Sequence, residues 1–126
     1  MESPDIIRNM LTQHFCTDQY WLIFPDNDNF KITDGVKAMV QLCEAHWLIS
    51  AIFSWQVNSK LKKEPFQVWI LRINDKTKGD EDAVLICEDG NNNELARQEI
   101  SYTDFPLPEG IKLFLDDGVL MLPSEY

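Results

Sequence analysis

With 126 residues, 44% of them hydrophobic and 25% charged, the chain has the length of one domain and the composition of a folded globular protein, not of a disordered tail. The longest apolar run, "WLISAIFSW", is broken by serines and falls far short of the ~20 residues of a membrane-crossing helix. The formal net charge of −10 is carried unevenly: residues 1–79 balance nine acidic against nine basic side chains, whereas residues 80–126 carry twelve acidic ones against Arg97 and Lys112. That second half has the wrong sign for phosphate recognition, so direct nucleic-acid binding is not expected of it. A negative field of this kind suits a basic protein partner, or plain solubility.

The start, "MESPDIIRNM", has no basic segment followed by an apolar one, and Cys16, Cys43 and Cys87 are odd in number with no paired spacing. Reduced thiols, a cytoplasmic location and no membrane association are the expectation.

In "SPDIIRNMLTQHF", Ser3 is placed to cap a helix with Pro4 at its first position, and Asp5 suits the positive end of the helix dipole. Ile6, Met10 and Phe15 can share its apolar face, with Ile7 and Leu11 beside it. "YWLIF" is aromatic and β-branched, and reads as a strand closed by Pro25 and the polar turn "PDNDN". In "TDGVKAMVQLCEAHW", Thr33 or Asp34 caps a helix whose Val36, Met39, Val40 and Cys43 recur at helical spacing. "HWLISAIFSWQ" is apolar nearly all round, as a buried helix is, and Trp47, Phe53 and Trp55 are read as core rather than interface. Whether one bent helix or two spans these segments stays open. "NSKLKKEP" then breaks the pattern, with Lys60, Lys62 and Lys63 read as a solvated helix end and Pro65 forbidding continuation.

From Phe66 the period becomes two. "FQVWILRIN", "AVLICED", "LARQEISY", "IKLFL" and "VLMLP" read as five strands. Asp89-Gly90 and Asp117-Gly118 mark tight turns, and Pro106 and Pro108 fall in the connection after the third of these strands. The expected architecture is a single α+β domain over 1–126. Residues 1–64 form a mainly helical half, and 65–126 form an antiparallel meander of about five strands with the helices on one face. The last hairpin should pin the chain's final residues, with Tyr126 against the body near the sheet edge.

The stretches "TDGVKAMVQLCEAHWLISAI", "FQVW", "CEDGNNN" and "YTDFPLPEGIKLFLDDGVLMLPSEY" resemble a family of short uncharacterised proteins from bacteria, phages and plasmids, a domain of unknown function. The likeness runs from about Tyr20 to Tyr126 and is most specific in "TDFPL" and "LPSEY". It implies one small α+β domain and residence on mobile elements, and it brings no activity or catalytic residue.

Chemistry-bearing residues are few. His14-x-Cys16 and Cys43-x-x-His46 offer two nitrogens and two sulfurs to zinc, but a buried cysteine and a solvated or capping histidine explain each pair as well. "DNDN" and "DGNNN" lack the spaced ligands and downstream glutamate of a calcium loop. No phosphate-binding, dinucleotide or nucleophile-elbow motif is present, so neither a catalytic residue nor a cofactor is assigned. The sequence thus favours a non-enzymatic protein-binding module that offers Asp80, Glu81, Asp82, Glu88, Asp89, Asp116 and Asp117 to a basic surface. A nucleic-acid-binding host defence enzyme, inhibited by mimicry of its ligand, is the partner class that mobile-element residence suggests. The alternative is a small hydrolase or nuclease that converges these carboxylates on a metal, with His46 nearby.

Overall fold

The computed structural model describes residues 3–14, 19–24, 27–74 and 82–126, with side chains 23–29 left out. Helix α1, Pro4–Thr12, starts where the sequence places it: the Ser3 hydroxyl accepts the Ile6 N–H at 3.4 Å. Its buried face centres on Ile7 with Met10 and Leu11 beside it, and Ile6 is 52% exposed. Phe15 lies outside the described residues.

Strand β1, Tyr20–Phe24, is the expected "YWLIF". The "DNDN" segment departs from expectation, because Asn27 already opens β2, Asn27–Thr33. Its polar residues have little strand preference of their own. They are held by antiparallel pairing with β1 and by a parallel ladder that sets Lys31 against Val119 and Ile32 against Leu120.

Helix α2, Asp34–Cys43, is capped by Thr33, whose hydroxyl accepts the Val36 N–H at 3.3 Å. Val36, Met39, Val40 and Cys43 are all buried. Glu44 ends it in the left-handed region at φ 52°, so α3, His46–Ser54, is a second helix. Leu48, Ile49, Ile52 and Phe53 enter the core, whereas His46, Ser50 and Ser54 form an exposed stripe. The Trp55 indole, in the 3₁₀ turn Trp55–Val57, donates to the Gln98 side chain at 2.8 Å. The short helix α4, Ser59–Lys62, buries Leu61 and leaves Lys60 and Lys62 in solvent.

The five expected strands are present: β3, Phe66–Ile73; β4, Ala83–Glu88; β5, Glu94–Ile100; β6, Ile111–Asp116; β7, Val119–Met121. Asp117 and Gly118, at φ 51° and 84°, make the primed turn between β6 and β7, and Gly90, at φ 89°, serves the β4–β5 turn. The expected meander needs correction. One mixed seven-stranded sheet runs in the order β1-β2-β7-β6-β3-β4-β5. After β5 the chain crosses back and places β6 beside β3, and the N-terminal part contributes two strands, one of them parallel to β7. The crossing, residues 101–110, is held from within: Phe105 and Leu107 are buried, and Thr103 accepts the Phe105 N–H at 3.1 Å.

The helices cover one face of the sheet. Their buried residues form one cluster with Trp69, Leu71, Leu85, Cys87, Leu113, Leu115 and Leu120, which point inward from the strands. A polar network is sealed in that layer. Gln67 and Gln56 exchange amide hydrogen bonds at 2.9 and 3.0 Å, Gln67 also donates to Leu61 O and Glu64 O, and it accepts from the Trp69 indole. Each buried side-chain donor has a partner, so the hydrogen bonds offset the desolvation of these groups and fix α4 against β3.

Arg8 fastens α1 to the crossing through two 2.8 Å bonds to Glu109. The bond to Arg8 lowers the Glu109 carboxyl from the ordinary 4.5 to about 2. A carboxyl depressed in the folded state adds stability above its ordinary range and loses it as pH falls through the folded value. Thermal unfolding of Glu109→Gln should therefore match wild type more closely at pH 2 than at pH 6, with a small difference because both side chains are about half exposed.

Candidate docking surface

The helix-free face of the sheet follows from the register. Directly paired residues share a face, so β3 presents Phe66, Val68, Ile70 and Arg72 beside Asp116, Phe114 and Lys112 of β6. On its other side stand Glu88, Ile86 and Val84 of β4, then Arg97 and Glu99 of β5. Val68, Val84 and Ile86 are buried yet stand apart from the helix-side core, as residues of an opposite face must. Tyr126 lies on this face, its ring 5.3 Å from Phe66 and 5.5 Å from Phe114, over central strands rather than at the sheet edge as expected.

Strand direction decides where the candidate carboxylates go. Glu88, at the end of β4, pairs across to Val68, and Asp116, at the end of β6, to Phe66, so both lie at the end where β3 begins. Asp89 and Asp117 occupy the turns at that same end. Asp82 lies at the opposite end, about 20 Å away along β4 at ~3.3 Å per residue. Its carboxylate accepts the Thr103 N–H at 3.0 Å and anchors the crossing. Asp80 and Glu81 lie outside the described residues. Four of the candidates are thus brought together and one is set apart.

Those four differ in their employment. Asp89 accepts from the Asn93 side chain at 2.9 Å and from the N–H groups of Asn91 and Asn93, which hold its carboxyl below the usual range. The same bonds occupy its oxygens in holding "DGNNN" as a turn. Asp117 donates its N–H to Pro65 O at 2.8 Å and leaves its side chain exposed. Glu88 and Asp116 are half-buried on the helix-free face. Glu64 and Glu94 stand at this end too, with Lys60, and Arg97, one row further along the sheet, binds Glu94 at 2.8 Å and holds its carboxyl below the usual range.

A groove of about 510 Å³ opens here between the β6–β7 turn, β2 and α4. Glu64 and Asp117 line it with Lys31 and Lys62, and Phe30, Pro65 and Val119 supply apolar walls. Its lining was not legible beforehand, because it joins residues from six elements and two turns that no local pattern connects.

The zinc and thiol readings find no support in the arrangement. Cys43 is buried at the end of α2 while His46 is exposed, and Cys16 lies outside the described residues. Burial pushes the Cys43 thiol up to about 11 and, with Glu64, Glu88 and Asp89 nearby, the Cys87 thiol up to about 12, so neither is a ready nucleophile. Among the described residues no three of His, Cys, Asp and Glu stand close enough to hold a metal ion. None of their helices is long and apolar enough to cross a membrane.

A family model described as "Family of unknown function (DUF6876)" matches residues 5–126. The chain belongs to this family. No curated protein and no solved structure matches it. Within this DUF6876 chain, the stretches singled out in the sequence have structural work. "TDG" and "LPSEY" meet: the Glu125 carboxylate accepts from the Thr33 hydroxyl at 2.6 Å, Gly35 N–H at 3.2 Å and Leu122 N–H at 3.0 Å. The Ser124 hydroxyl donates to the His14 carbonyl after α1. "TDFPL" builds the crossing. Sequence reasoning missed Glu125, although an acid facing a helix N-terminus is the signal that finds such a partner.

Proposed function

We propose that the protein is a non-enzymatic binding module that docks on a basic protein surface through the end of its sheet carrying Glu88, Asp89, Asp116 and Asp117. The observation that supports this reading is that these four acids, from two strand ends and two turns, lie at one end of the sheet, where a groove lined by Glu64 and Asp117 with apolar walls also opens. A lysine or arginine of the partner entering that groove finds carboxylates for its charged head and Phe30, Pro65 and Val119 for its aliphatic stem. The net charge of −10 steers such a partner from a distance.

A nucleic-acid-binding enzyme of a host defence system presents a basic surface of this kind, and inhibition by occupying it suits a protein carried on mobile elements. The test compares wild type with a Glu88→Gln, Asp89→Asn, Asp116→Asn, Asp117→Asn variant, each immobilised and exposed to host extract. A basic protein held by wild type at about 50 mM salt, released at about 300 mM and absent from the variant is the expected result. Identical proteins on both supports at both salts overturn the reading.

A further inference from the structure

The helix-free face carries opposite charges at its two ends. Reading across the ladders from the end where β3 begins, the first row holds Asp116 and Phe66, and the second holds Phe114, Val68 and Glu88, with Glu94 next on β5. The third row holds Lys112, Ile70, Ile86 and Arg97, and the fourth holds Arg72, Val84 and Glu99. Acids thus border one end and cations the other, with half-buried Phe66, Phe114 and Ile70 between them and Val68 and Ile86 buried among them. Glu99, on the edge strand, breaks the pattern, and Asp82, beyond the fourth row, is held by the Thr103 N–H.

A surface so polarised is complementary to itself once inverted. We infer that this face binds the same face of a second copy of the chain. The two-fold axis lies between the sheets and perpendicular to the strands. That rotation sets each β3 over its partner strand in reverse, so the fourth row of one copy meets the first row of the other. Arg72 then reaches Asp116 of the second copy beside the ring cluster of Phe66, Phe114 and Tyr126, and Arg97 approaches Glu94. A parallel arrangement would set acids on acids.

Four strands at ~4.8 Å spacing and four rows at ~6.7 Å cover roughly 500 Å² on each copy. About 1,000 Å² in total belongs with small, reversible interfaces, so the dimer forms at raised protein concentration and exchanges quickly. The grooves and the Asp89 and Asp117 turns lie at opposite outer ends of such a dimer. This inference does not depend on the docking of a basic partner.

The test is sedimentation equilibrium over a concentration series. Wild type is expected to pass from the 14.7 kDa of one chain to twice that mass as concentration rises, with weaker association in high salt. Arg72→Glu and Asp116→Arg, each alone, place like charges at both copies of the contact and remain monomeric. Mixed in equal amounts they restore both contacts, Glu against Arg and Arg against Asp, and the dimer returns. Far-ultraviolet circular dichroism confirms that each variant is folded before mixing. A wild type that stays monomeric, single variants that dimerise as wild type does, or a mixture that stays monomeric each overturns the inference.

Discussion

Gly110→Ala is expected to be among the most destabilising single-methyl additions in the molecule. Gly110 closes the crossing with φ 75° and donates its N–H to Leu107 O at 2.9 Å. An L side chain in that region costs about 1–2 kcal/mol before any contact is considered. The added Cβ would also lie 1.8 Å from the Leu71 carbonyl oxygen, which is strand backbone and cannot swing aside as a side-chain tip can. Either β3 shifts and weakens its ladders to β4 and β6, or the crossing lifts and exposes Phe105 and Leu107. The loss should exceed about 3 kcal/mol, a large part of the 5–15 kcal/mol of a typical domain. Gly90→Ala is the control. It shares the positive φ, at 89°, but its Cβ meets only the Phe66 ring at 3.3 Å. Its cost should stay near the backbone term, about 1–2 kcal/mol. Urea midpoints of the two variants that coincide would refute the steric account.

Glu125→Ala is expected to lose about 2–3 kcal/mol, since one carboxylate satisfies a hydroxyl and two N–H groups and lies at the N-terminus of α2. Deleting residues 123–126 should cost more, because the Tyr126 contacts with Phe66 and Phe114 go too, at about 0.5–1.5 kcal/mol for each aromatic pair. A truncated protein that keeps the wild-type melting temperature would show that the segment is not part of the packed structure. The geometry also predicts coupling. A Cβ at Gly35 would meet Glu125 Oε1 at 2.6 Å and Leu122 Cδ1 at 2.6 Å, so Gly35→Ala should be less harmful once Glu125 is alanine. Additive losses in that double-mutant cycle would separate the two sites.

What could be read from the sequence was what local chemistry determines. A cap at Thr33 or Asp34, Asp117-Gly118 as a primed turn and the alternation of β3 and β6 each follow from a few neighbouring residues. Strand β2 was hidden because "NDNFKIT" opens on three turn-favouring residues and alternates only over its last four, and its ladder to β7 is made by residues far away in the chain. The placement of β6 beside β3 was hidden for the same reason: residues 101–110 look like any proline-rich loop, and only the buried Phe105 and Leu107 show which way they travel. For the acidic candidates, spacing along the chain was a poor guide. Asp82 and Glu88 are six residues apart and occupy opposite ends of the sheet, whereas Glu88 and Asp116 share one end through their ladders to β3. Register, not composition, sorts charge in a sheet.

The parallel ladder that joins Lys31 to Val119 has a bearing on how the molecule assembles. A two-stranded ribbon such as β1 and β2 is marginal in water on its own, and beyond α2, where the Trp21 indole donates to Asp34 at 2.9 Å, its lateral support arrives once β7 has been laid against β6. The early and late thirds of the polypeptide must therefore find each other before either is secure, and the entropy of closing that long intervening loop falls on the search itself. Unfolding should run in the same spirit, with the ribbon and the final turn released together rather than peeling off one after the other.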